Sequence, residues 1–236
     1  MFHFKQFSLE DDQCGMKVGV DSVILGAWIK NVQPKNILDV GTGCGILALM
    51  LAQKFPSSHI TAVEIESDAA KQASQNFNNA PFSNSFVVEN GDFNQFYSTT
   101  KFDLIVSNPP YFKEDSKQEC TKRSLARMSK YLPLKNFLVS ANNCLATNGS
   151  IYIIYPVEQL SDFNELLTEY SLYIHQQLTV LGNPNSKIKR YCFELKRKST
   201  LVFSENPIRT ELLIEYNRGN YTDEYKRLTQ DFYLKF

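Results

Sequence analysis

Asn108-Pro109-Pro110-Tyr111 stands directly behind the apolar run Phe102-Asp103-Leu104-Ile105-Val106-Ser107. Leu104 to Val106 read as a buried strand. Two consecutive prolines then forbid both helix and ladder hydrogen bonds, so the chain must turn. An amide, a proline carbonyl and an aromatic ring at the C-terminal end of a strand can hold a flat molecule bearing an NH2 group. The same four residues also read as an ordinary strand-ending turn.

A second set of residues supplies the other half of a reaction. In Asp39-Val40-Gly41-Thr42-Gly43-Cys44-Gly45 a strand ends in three glycines before a helix begins. Glycines permit a tight turn and close approach of backbone to a ligand. The spacing is G-x-G-x-G, and Ile46 occupies the position where the dinucleotide fingerprint needs Gly or Ala, which argues against a bound pyrophosphate. Asp39 would repel phosphate but suits an ammonium group, directly or through water. Glu64 follows about twenty residues later, the offset of an acid that hydrogen-bonds ribose hydroxyls. Asp92 follows the next strand, where an acceptor can meet the amino group of an adenine ring.

These residues need a sheet to align them, and the patterns provide one. Asn36 to Val40, Ile60 to Glu64, Phe86 to Val88, Phe102 to Ser107 and Ile151 to Tyr155 read as strands. Helices are expected over Ile46 to Phe55, from an N-cap at Ser67 onward, over Leu134 to Leu145 with Asn148-Gly149 closing it, and over Gln159 to Glu169. This alternation implies a parallel α/β sheet. Tyr173 to Leu181 and Tyr191 to Leu195 read as late strands, joined through the polar stretch Gly182 to Lys189, which is expected to be disordered or a binding loop. Glu211 to Tyr216 suggests another strand and Arg218-Gly219-Asn220 a turn. Thr222 is a candidate N-cap, and Tyr221, Tyr225, Leu228 and Phe232 form an apolar stripe expected to dock on the core. The whole is expected to be one domain over residues 1–236, with extensions at 1–34 and 204–236.

Composition narrows the class. The chain has 236 residues, 43% hydrophobic and 21% charged, with zero formal net charge, which is ordinary globular composition. No apolar stretch approaches a membrane span, and the N-terminus lacks the pattern of a signal peptide. Five scattered cysteines and three scattered histidines show no metal-ligand spacing, so no metal is expected and a reducing cytoplasm is the expected home. Basic residues gather in 113–135 and 187–198. Such runs are solvated faces or, flanking one cleft, a footprint for phosphates. Arg123 and Arg127, four apart, share a face if that segment is helical.

Asp39 to Gly45, Glu64, Asp92 and Asn108 to Tyr111 together resemble the motifs of the S-adenosylmethionine-dependent methyltransferases of the doubly wound class. The opening Cys14-Gly15-Met16-Lys17-Val18-Gly19-Val20-Asp21 with Leu25-Gly26-Ala27-Trp28, and the ending Tyr221 to Leu234, resemble the bacterial family that methylates adenine 37 of tRNA1(Val). Its middle Val20 stands where Thr is commoner. The resemblance implies a Rossmann-like, seven-stranded, mostly parallel sheet with one antiparallel strand near its end. It implies S-adenosylmethionine as donor, S-adenosylhomocysteine as product, and the anticodon loop of tRNA as partner, with no obligate protein partner evident. Gly41, Gly43, Gly45, Asp39, Glu64, Asp92 and Asn108 would line the donor, and Lys17 and Asp21 would close over it. Lys17, Gly19 and Asp21 read equally as a turn that packs Trp28. Asn108, Pro109 and Tyr111 would hold the reacting amine and its ring, and Pro110, Arg123 and Arg127 would meet the RNA. Rival acceptors are the glutamine amide of a release factor and the N2 of an rRNA guanine. Only about thirty-five residues precede the glycines, too few for the helical substrate domain of the release-factor enzymes. A non-catalytic RNA-binding subunit would not require Asn108 and Tyr111.

Overall fold

The computed structural model describes residues 1–30, 32–109, 132–200 and 206–236. Two short strands, β1 (Phe2–His3) and β2 (Ser8–Leu9), pair antiparallel and lead into helix α1 (Val20–Trp28). The expected alternation follows: β3 (Asn36–Val40), α2 (Ile46–Lys54), β4 (His59–Glu64), α3 (Ser67–Asn79), β5 (Ser85–Asn90) and β6 (Phe102–Ser107). Beyond lie α4 (Leu134–Cys144), β7 (Leu145–Pro156), α5 (Phe163–Glu169), β8 (Leu172–Leu181), β9 (Arg190–Arg197) and β10 (Ile208–Leu213). The hairpin β11 (Glu215–Asn217) and β12 (Asn220–Tyr221) precedes α6 (Asp223–Thr229).

The eight strands of the main sheet run in the order β10-β8-β9-β7-β6-β3-β4-β5. Only β9 opposes the rest, pairing antiparallel with both β7 and β8. The antiparallel strand is where the resemblance put it, and the sheet gains an eighth strand, β10, which pairs in parallel with β8 from Ile208↔Gln176 to Leu213↔Leu181. This pairing covers the edge that β8 would otherwise expose.

Central strands are apolar on both faces because both faces are covered. Ile37, Leu104, Val106, Tyr152 and Ile154 point toward α1, α2 and α3, whereas Leu38, Val40, Ile105, Ile151 and Ile153 point toward α4 and α5. Asp39 falls on the first face, beneath α2. The C-terminal stripe docks on that face too: Tyr225 and Phe232 are buried, and Thr222 caps α6 by accepting from the Tyr225 N–H at 3.1 Å.

Several local readings move. Ser67 is the first residue of α3, with Glu66 as N-cap and its carbonyl accepting from Ala70 N–H, so the hydroxyl caps nothing. Helix α4 ends at Cys144, and Gly149 lies inside β7 rather than closing the helix. A side chain at 149 would meet the Phe102 carbonyl at 2.8 Å, so the glycine serves close strand contact. α5 begins at Phe163, not Gln159. In the polar stretch 182–189, Ser186 Oγ donates to the Asn183 carbonyl and accepts from its N–H, closing a turn.

Candidate active site

The C-terminal ends of β3, β4, β5 and β6 set the glycine loop, Glu64, Asp92 and Asn108 along one edge of the sheet. After β3, Gly41, Gly43 and Gly45 all take positive φ, at 68°, 56° and 90°. Gly41 and Thr42 N–H both donate to the Val63 carbonyl, and Gly45 N–H donates to Thr42, which folds the loop tightly back on β4. Among the described residues nothing lies within 4 Å of where a Cβ would stand at Gly41 or Gly43, whereas at Gly45 it would strike the Phe77 ring at 2.4 Å. The first two glycines thus leave open backbone, and the third fits the packing of α2 against α3.

Asp39 is wholly buried. Its Oδ2 accepts from the Thr42 hydroxyl at 2.6 Å and from Ala48 N–H at 3.1 Å. α2 has no side-chain cap of its own, so Asp39 satisfies one of its orphan amides from across the strand end. Burial, with Glu64 nearby, pushes its carboxyl up to about 7 despite those two bonds. The sequence reading offered Asp39 to an ammonium group directly or through water. Full enclosure removes the direct contact, since the carboxylate presents no surface to the cleft.

Glu64 ends β4 and is nearly buried. It accepts from Gly43 N–H at 2.8 Å and from Glu66 N–H at 2.9 Å, so the acid and the glycine loop are locked in register. Asp92 accepts from both the backbone and side-chain nitrogens of Asn94 at 2.9 Å, capping a short turn after β5. Ser107 Oγ donates to the Val40 carbonyl and ties the end of β6 to β3. Asn108 Nδ2 donates to Ser22 Oγ at 2.8 Å, anchoring the amide to the first turn of α1.

A cleft of about 550 Å³ unites Gly41, Gly43 and Asn108 with Lys17, Asp21 and Ser22 from the N-terminal segment and with Lys189 and Arg190 from the start of β9. A larger, shallower depression of about 900 Å³ lies along the tail among Tyr221, Lys226 and Phe236, away from every residue of this set. Lys17 is tied to the Asp11 carbonyl at 2.7 Å and pairs with its carboxylate. Asp21 forms an ion pair with Arg190. Its carboxyl is raised by burial and held back by that guanidinium. Trp28 packs edge-on against Tyr152, and Lys17, Gly19 and Asp21 line the cleft. Ser22 and Arg190 were not singled out from sequence. Arg190 had a signal, the basic run after the polar loop, whereas Ser22 had none. Pro110, Tyr111, Arg123 and Arg127 lie outside the described residues.

Residues 14–170 match the methyltransferase small domain family. A protein from Flavobacterium psychrophilum named tRNA1(Val) (adenine(37)-N6)-methyltransferase is 41% identical over 241 residues, covering the whole of both chains. The chain belongs to this methyltransferase family. A member of the same name from Bacteroides thetaiotaomicron is 40% identical over 99% of the chain and 97% of its own length. Among solved structures, a predicted O-methyltransferase from Agrobacterium tumefaciens superposes with a TM-score of 0.67 at 14% identity, covering 90% of this chain and 96% of its own. The ribosomal protein L11 methylase of Lactobacillus delbrueckii subsp. bulgaricus gives 0.55 at 20% identity, covering 75% of this chain and 77% of its own. These likenesses establish the Rossmann-like methyltransferase fold, and the family membership comes from the full-length relatives.

Proposed function

We propose that this methyltransferase moves a methyl group from S-adenosylmethionine to the N6 amine of adenine 37 in the anticodon loop of tRNA1(Val), in the cytoplasm. The observation that carries the reading is the shared cleft. The amide of Asn108 and the open backbone of Gly41 and Gly43 face one volume, and the carboxylate of Glu64 is bonded into the same loop. The open space among the described residues at the would-be Cβ of Gly41 and Gly43 fits a ligand lying directly on the backbone. When bound, S-adenosylmethionine supplies a methyl group already activated by its positive sulfur, so the chemistry asks for no metal.

The chain's own work is alignment and charge. Glu64 accepts hydrogen bonds from the ribose hydroxyls, and Asp92 accepts from the adenine amino group of the donor. An aromatic amine is a poor nucleophile because its lone pair is delocalised. Asn108 Oδ1 and the Pro109 carbonyl accept its two hydrogens, favouring a pyramidal nitrogen and the positive charge that grows on it. One Nδ2 hydrogen of Asn108 goes to Ser22 Oγ, which fixes the orientation of the amide. Tyr111 stacks on the acceptor ring, worth about 1–3 kcal/mol per base. A loop nucleotide unstacks more easily than a paired one, which suits this acceptor.

The test is incubation of the purified protein with labelled S-adenosylmethionine and unmodified tRNA, beside release factor and rRNA. Label should enter tRNA alone and map to adenine 37; label confined to release factor or rRNA overturns the acceptor. Asn108→Ala should slow transfer by about 10²-fold or more, while affinity for S-adenosylhomocysteine stays near normal. Parallel loss of that affinity would move Asn108 to the donor side.

A further inference from the structure

Arg190 opens β9 opposite Pro156 of β7, and its guanidinium is ion-paired with Asp21 in the first turn of α1. The two side chains are 36% and 22% exposed, so the pair is partly withdrawn from solvent. Nε lies against the Asp21 carboxylate as an ion pair and makes no hydrogen bond of its own among the described residues, and the two Nη atoms carry four further N–H groups. Lys189, the neighbouring residue, lines the same cleft.

Position along the sheet edge gives the pair its meaning. The order is β4 with Glu64, β3 with the glycine loop, β6 with Asn108, β7 with Pro156, then β9 with Arg190. Arg190 therefore stands two strands beyond Asn108, about 10 Å away, on the side opposite the donor's glycines and ribose acid. The same helical turn that holds Arg190 through Asp21 holds Asn108 through Ser22. One turn of α1 thus sets the spacing between the amide that meets a base and a cation suited to an oxyanion.

We propose that Arg190, oriented by Asp21, binds the backbone phosphate beside the adenosine being methylated, an assignment that rests on the tRNA reading above. Asp21 is then a positioning residue for the acceptor rather than a donor ligand. A forked guanidinium pre-set by a carboxylate suits the planar, two-oxygen face of a phosphodiester.

The oxyanion has two possible sources, RNA phosphate and the donor's carboxylate, and the experiment separates them. Arg190→Ala should raise the Kd for tRNA about tenfold, leave S-adenosylhomocysteine affinity unchanged, and reduce the salt slope of tRNA binding by about 0.7. Arg190→Ala combined with Asp21→Asn removes both charges and keeps the fold testable if the single variant is unstable. Asp21→Asn alone should weaken tRNA binding severalfold with kcat little changed. An anticodon stem-loop with a neutral methylphosphonate at the linkages flanking adenosine 37 should bind the wild type less tightly, with no further loss in Arg190→Ala. Loss of S-adenosylhomocysteine affinity with intact tRNA binding makes Arg190 a donor-carboxylate residue and overturns the proposal. Unchanged tRNA binding in an otherwise active variant also overturns it. A wild type that neither binds nor methylates tRNA overturns the functional reading, and this assignment with it.

Discussion

Asp39 carries a carboxylate into the core to hold the start of α2, and its burial has a measurable consequence. Its folded pKa of about 7 lies above the 3.8 of the free side chain, so between those values the folded state binds the extra proton. Stability from this group is therefore full below about pH 4 and is lost as pH rises through 7. Asp39→Asn keeps an acceptor for Thr42 and Ala48 but cannot ionise. Thermal melts should show the wild type losing stability relative to this variant from pH 5 to about 7 and levelling off above that, by about 3 kcal/mol over those two units at 1.36 kcal/mol per unit. A constant difference across that range would mean the carboxyl is already ionised at pH 5. The acid was legible in the sequence, but its job was not. Its offset from the glycines suggested a ligand, and only the hydrogen bonds to Thr42 and Ala48 show that it faces inward.

At the scale of elements, the strand–loop–helix from β3 to α2 divides its glycines between two tasks. Gly45→Ala would place a methyl at φ 90° into the Phe77 ring, a cost of about 2–4 kcal/mol read as a lower denaturation midpoint. Gly41→Ala meets no neighbour among the described residues and costs the left-handed backbone, about 1–2 kcal/mol. Its larger effect should be on the ligand: calorimetry should find S-adenosylhomocysteine affinity reduced at least about tenfold. Equal affinity in Gly41→Ala and wild type would show that the open space at Gly41 is not used. Element existence was readable because each strand is a short apolar run beside a helical pattern. Boundaries were less so: α5 starts four residues late, and Asn148-Gly149 fall inside β7 at the register shift between the Phe102–Leu145 and Leu104–Ser150 pairs, so the Asn-Gly irregularity is taken up within the strand rather than ending the helix.

Across the whole molecule, the two ends of the chain meet. Lys5 N–H donates to the Phe232 carbonyl at 2.8 Å, and Phe4 stacks near Tyr233 at 6.0 Å. Tyr225 sits within 5.4–6.3 Å of the rings of Tyr221, Phe236 and Tyr233, and α6 packs on α1. We read residues 1–34 and 204–236 as extensions of a single domain on the strength of these contacts. Because α1 carries Asp21 and Ser22 into the cleft, the tail supports the site at one remove. Tyr225→Ala should cost about 3–5 kcal/mol, and unfolding should remain a single transition by fluorescence and circular dichroism. A separate early transition of the tail would mean the ends fold independently of the sheet. No helix among the described residues is long and apolar enough to cross a membrane.

The sequence by itself determined the alternation of strands and helices from β3 to β6, the glycine loop, the acids after β4 and β5, and the end of β6 before Asn108-Pro109. Each is written in contiguous residues whose backbone demands are local: glycine for positive φ, proline for an ended strand, apolar runs for a sheet covered on both faces. Tertiary structure alone decided the inward role of Asp39, the Asn108–Ser22 bond and the Asp21–Arg190 pair. Those partners stand 86 and 169 positions apart in Asn108–Ser22 and Arg190–Asp21, and a single chain carries no local signal for contacts that distant. The Asp21–Arg190 pair exists because β9 turns back antiparallel beside β7, which sets Arg190 in the same cleft as the start of α1.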